Sequence, residues 1–257
     1  MAAPNISLTL YYNPECPYVH RALTTLHELS LPFTTHFVDL DVPRSPAYLA
    51  INPRGTVPAL TFKSPDYNDN RETIVNESLV IIYFLGNLLP NHLLPAAVTG
   101  VQVAVDRARI FYFINTWENK INPLFEKVYI ASFAGQKEAK EVEDLLVAAI
   151  KKEIEPLLKK EERDREGLFL GGKDKFTMAE VVVAPLMLRL FAFVHGGLLP
   201  QSLKSNLLAL PYFGKWAREI VKNENLLKEW DEAKFLEGSK AKLQQFRDGT
   251  YKPKIAT

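Results

Sequence analysis

The chain has 257 residues, 47% of them hydrophobic and 24% charged, which is typical of a soluble globular protein with one large or two modest domains. A formal net charge of +1 creates no general field that favours nucleic acid or an acidic membrane surface, so we expect neither as a partner. The single cysteine excludes an internal disulfide and a thiolate zinc cluster, so we expect no bound metal. With no secretory leader pattern at the N-terminus, these features favour the cytoplasm.

The first 90 residues alternate between strand and helix patterns. The elements predicted, in chain order, are a strand at 6–12, a helix at 17–29, a strand at 32–40, a helix at 45–52, strands at 57–63 and 71–76, and a helix at 77–89. The polar stretch between the last two strands predicts a hairpin turn. The region is therefore expected to be an α/β unit.

The character of the sequence changes after a proline-containing linker at 91–98, and residues 99–257 show only helical patterns. The apolar run at 179–197 is interrupted by Pro185 and Arg189, which predicts a buried core helix rather than a membrane span. Thr177 and Glu180 have the spacing of a capping box at the start of this helix.

The only cysteine, Cys16, follows the first strand and directly precedes Pro17, a residue that suits the first position of a helix. A helix N-terminus can lower the pKa of a cysteine below its usual value of about 8.5 and so favour the nucleophilic thiolate. On position alone, a small buried hydrophobic role is equally consistent. Since Val19 stands where a Cys-x-x-Cys motif has its second thiol, a mixed disulfide at Cys16 needs a soluble thiol to resolve it.

Three motifs in order, CPYVHR (16–21), NPRGTVPAL (52–60) and NES (76–78), followed by an all-helical half, resemble a cysteine-type glutathione transferase, most similar to the omega class. The resemblance implies a thioredoxin-like α/β glutathione-binding domain at 1–90 and an all-α domain at 99–257. It also implies glutathione as co-substrate, a hydrophobic or disulfide second substrate, and a homodimer.

The resemblance further implies a set of glutathione contacts. Val57 and Pro58 form a cis-proline turn, whose backbone pairs with glutathione in a strand-like manner. Ser78 and the amides of the third helix hold the γ-glutamyl carboxylate, while Glu77 takes the ammonium group. Additional contacts are implied for Thr56, Tyr18 and Arg44, the last of which faces either the glycyl carboxylate or solvent as a surface arginine.

Three further residues near Cys16 have alternative interpretations. Tyr11 and Tyr12 end the first strand, where other transferase classes place a catalytic hydroxyl, but Cys16 holds the better activating position. His20 lies about one helical turn after Cys16. It could tune the thiolate, although we expect a partly exposed helix histidine.

The expected function is glutathione-dependent thiol transfer or reduction, such as deglutathionylation or dehydroascorbate reduction, through a Cys16–glutathione mixed disulfide. One alternative is a glutathionyl-hydroquinone reductase, whose motif is similar but has tryptophan at the position of Tyr18 and follows a longer N-terminal segment. A glutathione-dependent lyase is a further enzymatic alternative. A non-catalytic ligand-binding or interaction module is the alternative from another class.

Overall fold

The computed structural model describes residues 5–95, 100–134, 136–159 and 167–250. Parts of the predicted linker and helical half, namely 96–99, 160–166 and 251–257, lie outside the described residues. The described chain forms two compact units, the first from residues up to Leu94 together with Glu224–Trp230, and the second from the remainder. The predicted domain limits stay a prediction, and they assign Glu224–Trp230 to the helical half.

The first unit is built on a four-stranded mixed sheet. Its strands are β1 (Ser7–Tyr12), β2 (Thr34–Phe37), β3 (Ala59–Lys63) and β4 (Thr73–Asn76), in the order β2-β1-β3-β4. β1 pairs in parallel with β2, while β3 runs antiparallel to both β1 and β4. Because β1 is central, its alternate residues Leu8 and Leu10 are buried, and its C-terminal end leads directly to Cys16.

The part of this unit that runs up to Leu94 also contains three helices, α1 (Pro17–Glu28), α2 (Pro46–Ile51) and α3 (Ser78–Asn87). α1 packs against α3, and the apolar residues Val19, Leu26 and Ile81 are fully buried. The order β-α-β-α-β-β-α is the one that the sequence predicts, and the thioredoxin-like fold class is confirmed.

The described part of the second unit is helical. Its helices are α4 (Val101–Thr116), α5 (Asn122–Ala134), α6 (Gln136–Ala149), α7 (Glu155–Leu158), α8 (Met178–His195), α9 (Gln201–Leu208), α10 (Phe213–Ile220) and α12 (Glu232–Arg247). A short helix, α11 (Glu224–Leu227), belongs to the first unit. Two π-helical turns, Trp117–Ile121 and Ile150–Ile154, follow α4 and α6.

α8 is the core helix of the second unit. This helix is long and apolar enough to cross a membrane, but 89% of its 18 residues are buried inside the protein. The predicted capping box is present at its start, where the Glu180 carboxylate accepts hydrogen bonds from the Thr177 backbone at 2.7 Å and the Thr177 hydroxyl at 2.6 Å. Leu170 N and Trp216 Nε1, each at 2.8 Å, donate to the other oxygen. Burial raises the pKa of Glu180, and these four donors oppose the rise.

Candidate functional site

A turn at the end of β1 positions Cys16. The buried side chain of Asn13 donates to Val38 O at 3.0 Å and accepts from Glu15 N at 3.1 Å, which fixes the turn against the chain that follows β2. The backbone of Cys16 then donates to Asn13 O at 3.1 Å. Asn13 therefore sets the direction in which the chain enters α1, a role that the sequence analysis did not assign.

Cys16 is the N-cap residue of α1, as predicted, with extended backbone angles (φ −78°, ψ 120°) and Pro17 at the start of the helix. Its side chain is half-buried and makes no capping hydrogen bond within the helix. The sulfur instead donates to Val57 O at 3.6 Å, within the range for a sulfur donor. The thiol thus bridges the start of α1 and the turn that precedes β3.

The turn before β3 holds three of the predicted binding residues, Thr56, Val57 and Pro58. The Val57–Pro58 peptide bond is cis, as the resemblance implies. Thr56 O accepts from the Tyr48 hydroxyl at 2.5 Å and from Asn52 Nδ2 at 2.8 Å. Two side chains of the α2 region therefore fix the backbone next to Val57.

The N-terminus of α3 lies beside α1 and carries Glu77 and Ser78. The Ser78 side chain is buried, and its Oγ accepts from Nη1 of the buried Arg21 at 3.5 Å. Tyr18 joins this group because the Arg21 guanidinium lies over its ring, 4.8 Å from the centroid. A buried hydroxyl, helix amides and a neighbouring cation together suit an anionic group.

Glu77 is the N-cap residue of α3 and has φ 73°, a positive value that non-glycine residues adopt at an energetic cost. Its carboxylate forms an ion pair with Arg54, and both side chains are more than half exposed to solvent. Such an exposed pair contributes little to stability. The Glu77 carboxylate therefore stays accessible to an ammonium group.

Arg44 stabilises the loop that precedes α2 through hydrogen bonds to backbone carbonyl oxygens. Its Nε donates to Gly55 O at 2.8 Å, and its Nη1 donates to Asp39 O at 3.0 Å and to Val42 O. These bonds place Arg44 next to the turn that carries Val57. They give it a local structural role, and its contact with a glycyl carboxylate stays a prediction.

The two tyrosines at the end of β1 have packing partners. Tyr12 packs edge-on against Phe37, and Tyr11 lies 5.6 Å from the ring of Tyr48. Burial raises the pKa of Tyr11, the Glu72 carboxylate raises it further, and a hydrogen bond with Thr61 lowers it. The hydroxyl of Tyr11 is thus engaged with β3, which favours a packing role over the alternative tyrosine mechanism.

The expectation of a partly exposed His20 is wrong. The residue is only 4% exposed, its Nε2 lies 2.7 Å from Leu226 O, and its ring stacks on Trp230 at 6.2 Å. The cause is the segment Glu224–Trp230, which covers this face of α1 although it is more than 200 residues away in the chain. The sequence around His20 contains no pattern that indicates a contact with so distant a segment.

Four further residues of the site have no role predicted from the sequence. Arg21 closes the CPYVHR motif, and Asn52 and Arg54 begin NPRGTVPAL, so motif membership was the available signal for these three. Tyr48 had no comparable signal. Among the residues that the structure describes, no group of three or more His, Cys, Asp or Glu side chains is arranged to hold a metal ion.

Comparison with known proteins shows similarity to glutathione transferases in sequence and in fold. Residues 15–88 match the family model described as "Glutathione S-transferase, N-terminal domain". Over 84 residues, or 32% of the chain, the protein is 37% identical to Protein URE2 of Candida albicans, of which it covers 23%. It is 32% identical over 85 residues, 33% of the chain, to the Probable glutathione S-transferase DHAR4 of Arabidopsis thaliana, of which it covers 35%. The matches thus span well under half of these relatives.

Solved structures match over nearly the whole chain. Glutathione transferase Omega 2C from Trametes versicolor superposes with a TM-score of 0.74 at 24% identity, covering 93% of this chain and 99% of that one. Rice GST1 (OsGSTU1), solved in complex with glutathione, gives a TM-score of 0.73 at 20% identity, covering 95% and 99%. Residues 15–88 therefore match the model of the glutathione S-transferase N-terminal domain, and the chain has the fold of the glutathione transferases.

Proposed function

We propose that this protein is a cysteine-type, omega-like glutathione transferase that catalyses glutathione-dependent thiol transfer. The observation that carries the proposal is the position of Cys16. Cys16 is the N-cap residue of α1, and its thiol contacts Val57 O at 3.6 Å. The resemblance implies that the backbone of this turn binds glutathione. A cysteine at this point meets the sulfur of a tripeptide that lies along Val57.

The chemistry needs no reductant other than glutathione. The Cys16 thiolate attacks the glutathionyl sulfur of a mixed disulfide, the S–S bond breaks, and the partner leaves as a thiolate. A second glutathione thiolate then attacks the Cys16–glutathione disulfide, releasing oxidised glutathione and restoring the Cys16 thiolate. The net reaction converts one glutathionylated thiol and one glutathione into the free thiol and oxidised glutathione.

The proposed binding roles follow the chemistry of the ligand. Ser78 and the first amides of α3 hold the γ-glutamyl carboxylate next to the Arg21 guanidinium, whose Nη1 lies 3.5 Å from Ser78 Oγ. Glu77 exchanges Arg54 for the ammonium group, an exchange that costs little because the existing pair is exposed. Tyr18, Thr56 and the Val57 backbone line the cysteinyl unit.

Arg44 faces the glycyl end in this proposal. The remaining parts of the proposal are a homodimer, which the omega resemblance suggests, and a cytoplasmic location, which the single cysteine suits. Light scattering during size-exclusion chromatography tests the dimer.

An activity panel tests the proposal against its enzymatic alternatives. Glutathione is supplied with hydroxyethyl disulfide, dehydroascorbate, glutathionyl-acetophenone, glutathionyl-hydroquinone or chlorodinitrobenzene, using wild type and Cys16→Ala. We expect wild type to reduce the disulfide or dehydroascorbate, and Cys16→Ala to lose that activity. Conjugation of chlorodinitrobenzene is expected to be weak, because a thiolate placed to bond with the glutathione sulfur is badly placed to activate it. Preference for glutathionyl-hydroquinone would favour that reductase instead, and inactivity on all five would favour a non-catalytic module.

A further inference from the structure

Side chains hold every carbonyl oxygen of the segment Gly55–Val57. The donors are Arg44 to Gly55 O, Tyr48 and Asn52 to Thr56 O, and Cys16 to Val57 O. Asn52 and Tyr48 are 2% and 6% exposed, so these donors are themselves fixed by packing. The segment is therefore presented to Cys16 in one orientation, with the Val57 carbonyl directed at the sulfur.

This contact distinguishes the two protonation states of Cys16. Only the protonated thiol can donate to Val57 O, whereas a thiolate at 3.6 Å would face the negative end of the carbonyl dipole. The N-terminus of α1 acts in the opposite sense, because its amides and dipole favour the anion. In the free protein, the Val57 carbonyl thus favours the protonated form of the Cys16 sulfur, and the N-terminus of α1 favours the thiolate.

We propose that the Val57 carbonyl holds Cys16 in its protonated form in the free protein and releases it when a γ-glutamyl-cysteinyl peptide occupies that carbonyl. This inference rests on the proposed function, in which the peptide N–H of the ligand donates to Val57 O in a strand-like pairing. Once the ligand N–H takes the carbonyl, this acceptor no longer opposes the helix N-terminus at the sulfur. Glutathione then generates the nucleophile at the place where its own sulfur is held.

Thermodynamic linkage makes the inference measurable as a binding constant. A ligand that binds the thiol form must displace one hydrogen bond, whereas a ligand that binds the thiolate form displaces none. The net free energy of an ordinary hydrogen bond corresponds to an affinity difference of about two- to tenfold between the two protonation forms. The ligand should therefore bind more tightly as pH rises through the titration of Cys16.

Other ionisable groups in and near the proposed binding site must be held constant in the test. They are Glu15, His20 and Arg21 near the start of α1, Tyr11 on β1, Arg44 and Tyr48 near α2, and Arg54 with Glu77 at the start of α3. All of them are unchanged by a substitution at Cys16. Comparing variants that differ only at this position therefore cancels their contributions.

The experiment is calorimetric titration with γ-glutamyl-alanyl-glycine, a glutathione analogue without sulfur, from pH 5.5 to pH 8. Wild type is compared with Cys16→Ala, which has no competing donor, and with Cys16→Ser, whose hydroxyl donates without ionising. We expect Cys16→Ala to bind about two- to tenfold more tightly than Cys16→Ser throughout this range. Wild type should move from the affinity of Cys16→Ser towards that of Cys16→Ala as pH rises.

The possible failures are distinct. If Cys16→Ser and Cys16→Ala bind the peptide equally at every pH, the carbonyl accepts both donors at once and the inference is wrong, while the proposed function stands. If wild type and both variants fail to bind the peptide at millimolar concentration, the proposed glutathione site is wrong and this inference falls with it.

Discussion

The substitution Tyr48→Phe removes a single hydroxyl from the site. That hydroxyl donates to Thr56 O at 2.5 Å, while the ring packs 5.6 Å from Tyr11 and only 6% of the residue is exposed. Phenylalanine keeps the ring, and Asn52 still donates to the same carbonyl at 2.8 Å, so no backbone acceptor is orphaned. We therefore expect the ordinary net value of one hydrogen bond, a loss of about 0.5–1.5 kcal/mol in the free energy of unfolding at pH 7.

The pH dependence of this loss has a defined sign. Burial is the main cause that raises the pKa of Tyr48 from 10.0 to about 12, and the hydrogen bond with Asn52 and the charge of Arg44 partly offset it. Because the folded-state pKa lies above the unfolded value, the stability from the protonated hydroxyl is complete below pH 10 and is lost as pH rises towards 12. The stability advantage of wild type over Tyr48→Phe should therefore shrink over this range.

Urea unfolding followed by tryptophan fluorescence, at pH 7 and at steps above pH 9, measures both effects. Tyr67→Phe is the matched control, since Tyr67 is 57% exposed and substitutions at exposed positions usually change the free energy of unfolding by about 0.5 kcal/mol or less. The reasoning is refuted if Tyr48→Phe is as stable as wild type at pH 7. It is also refuted if the advantage of wild type grows between pH 10 and pH 12.

Three other predictions concern ligand binding and stability. Ser78→Ala removes a hydrogen bond to the γ-glutamyl carboxylate, and Glu77→Gln removes the negative charge that faces the ammonium group. Each should raise the dissociation constant for glutathione about ten- to hundredfold, and calorimetry that shows wild-type affinity would contradict this. Val57→Ala should change that constant little, because the proposed contact is made by the backbone, and a large loss would argue for a side-chain contact. Glu180→Gln should lower the free energy of unfolding by about 2–4 kcal/mol, because an amide nitrogen replaces an oxygen that accepts from two buried donors, and a change below about 0.5 kcal/mol in urea unfolding would count against this.

The architecture of the first unit could be predicted because its signals are local. Each of three features is predicted from its own residues alone. They are the apolar strand that precedes Cys16, Pro17 at the start of α1, and the polar hairpin between β3 and β4. The capping box of Thr177 and Glu180 is equally local, and it is present at the start of α8. These features involve residues only a few positions apart.

The features that the sequence did not reveal depend on contacts between distant segments. Asn13 reaches Val38 across 25 residues, and His20 is buried by a segment 206 residues further along the chain. A histidine on a helix has the same local sequence whether or not another segment covers it. The hydrogen bond from Tyr48 to Thr56 spans only eight residues, but it depends on how the loop between them folds back.

The central claim is that Cys16 is the nucleophile that exchanges with glutathione. The most direct test is mass spectrometry of the intact protein after incubation with oxidised glutathione, followed by peptide mapping. The account predicts one added glutathionyl group, located on Cys16, which reduced glutathione removes with release of oxidised glutathione. An unmodified protein, in conditions where calorimetry shows that the ligand is bound, would contradict the claim.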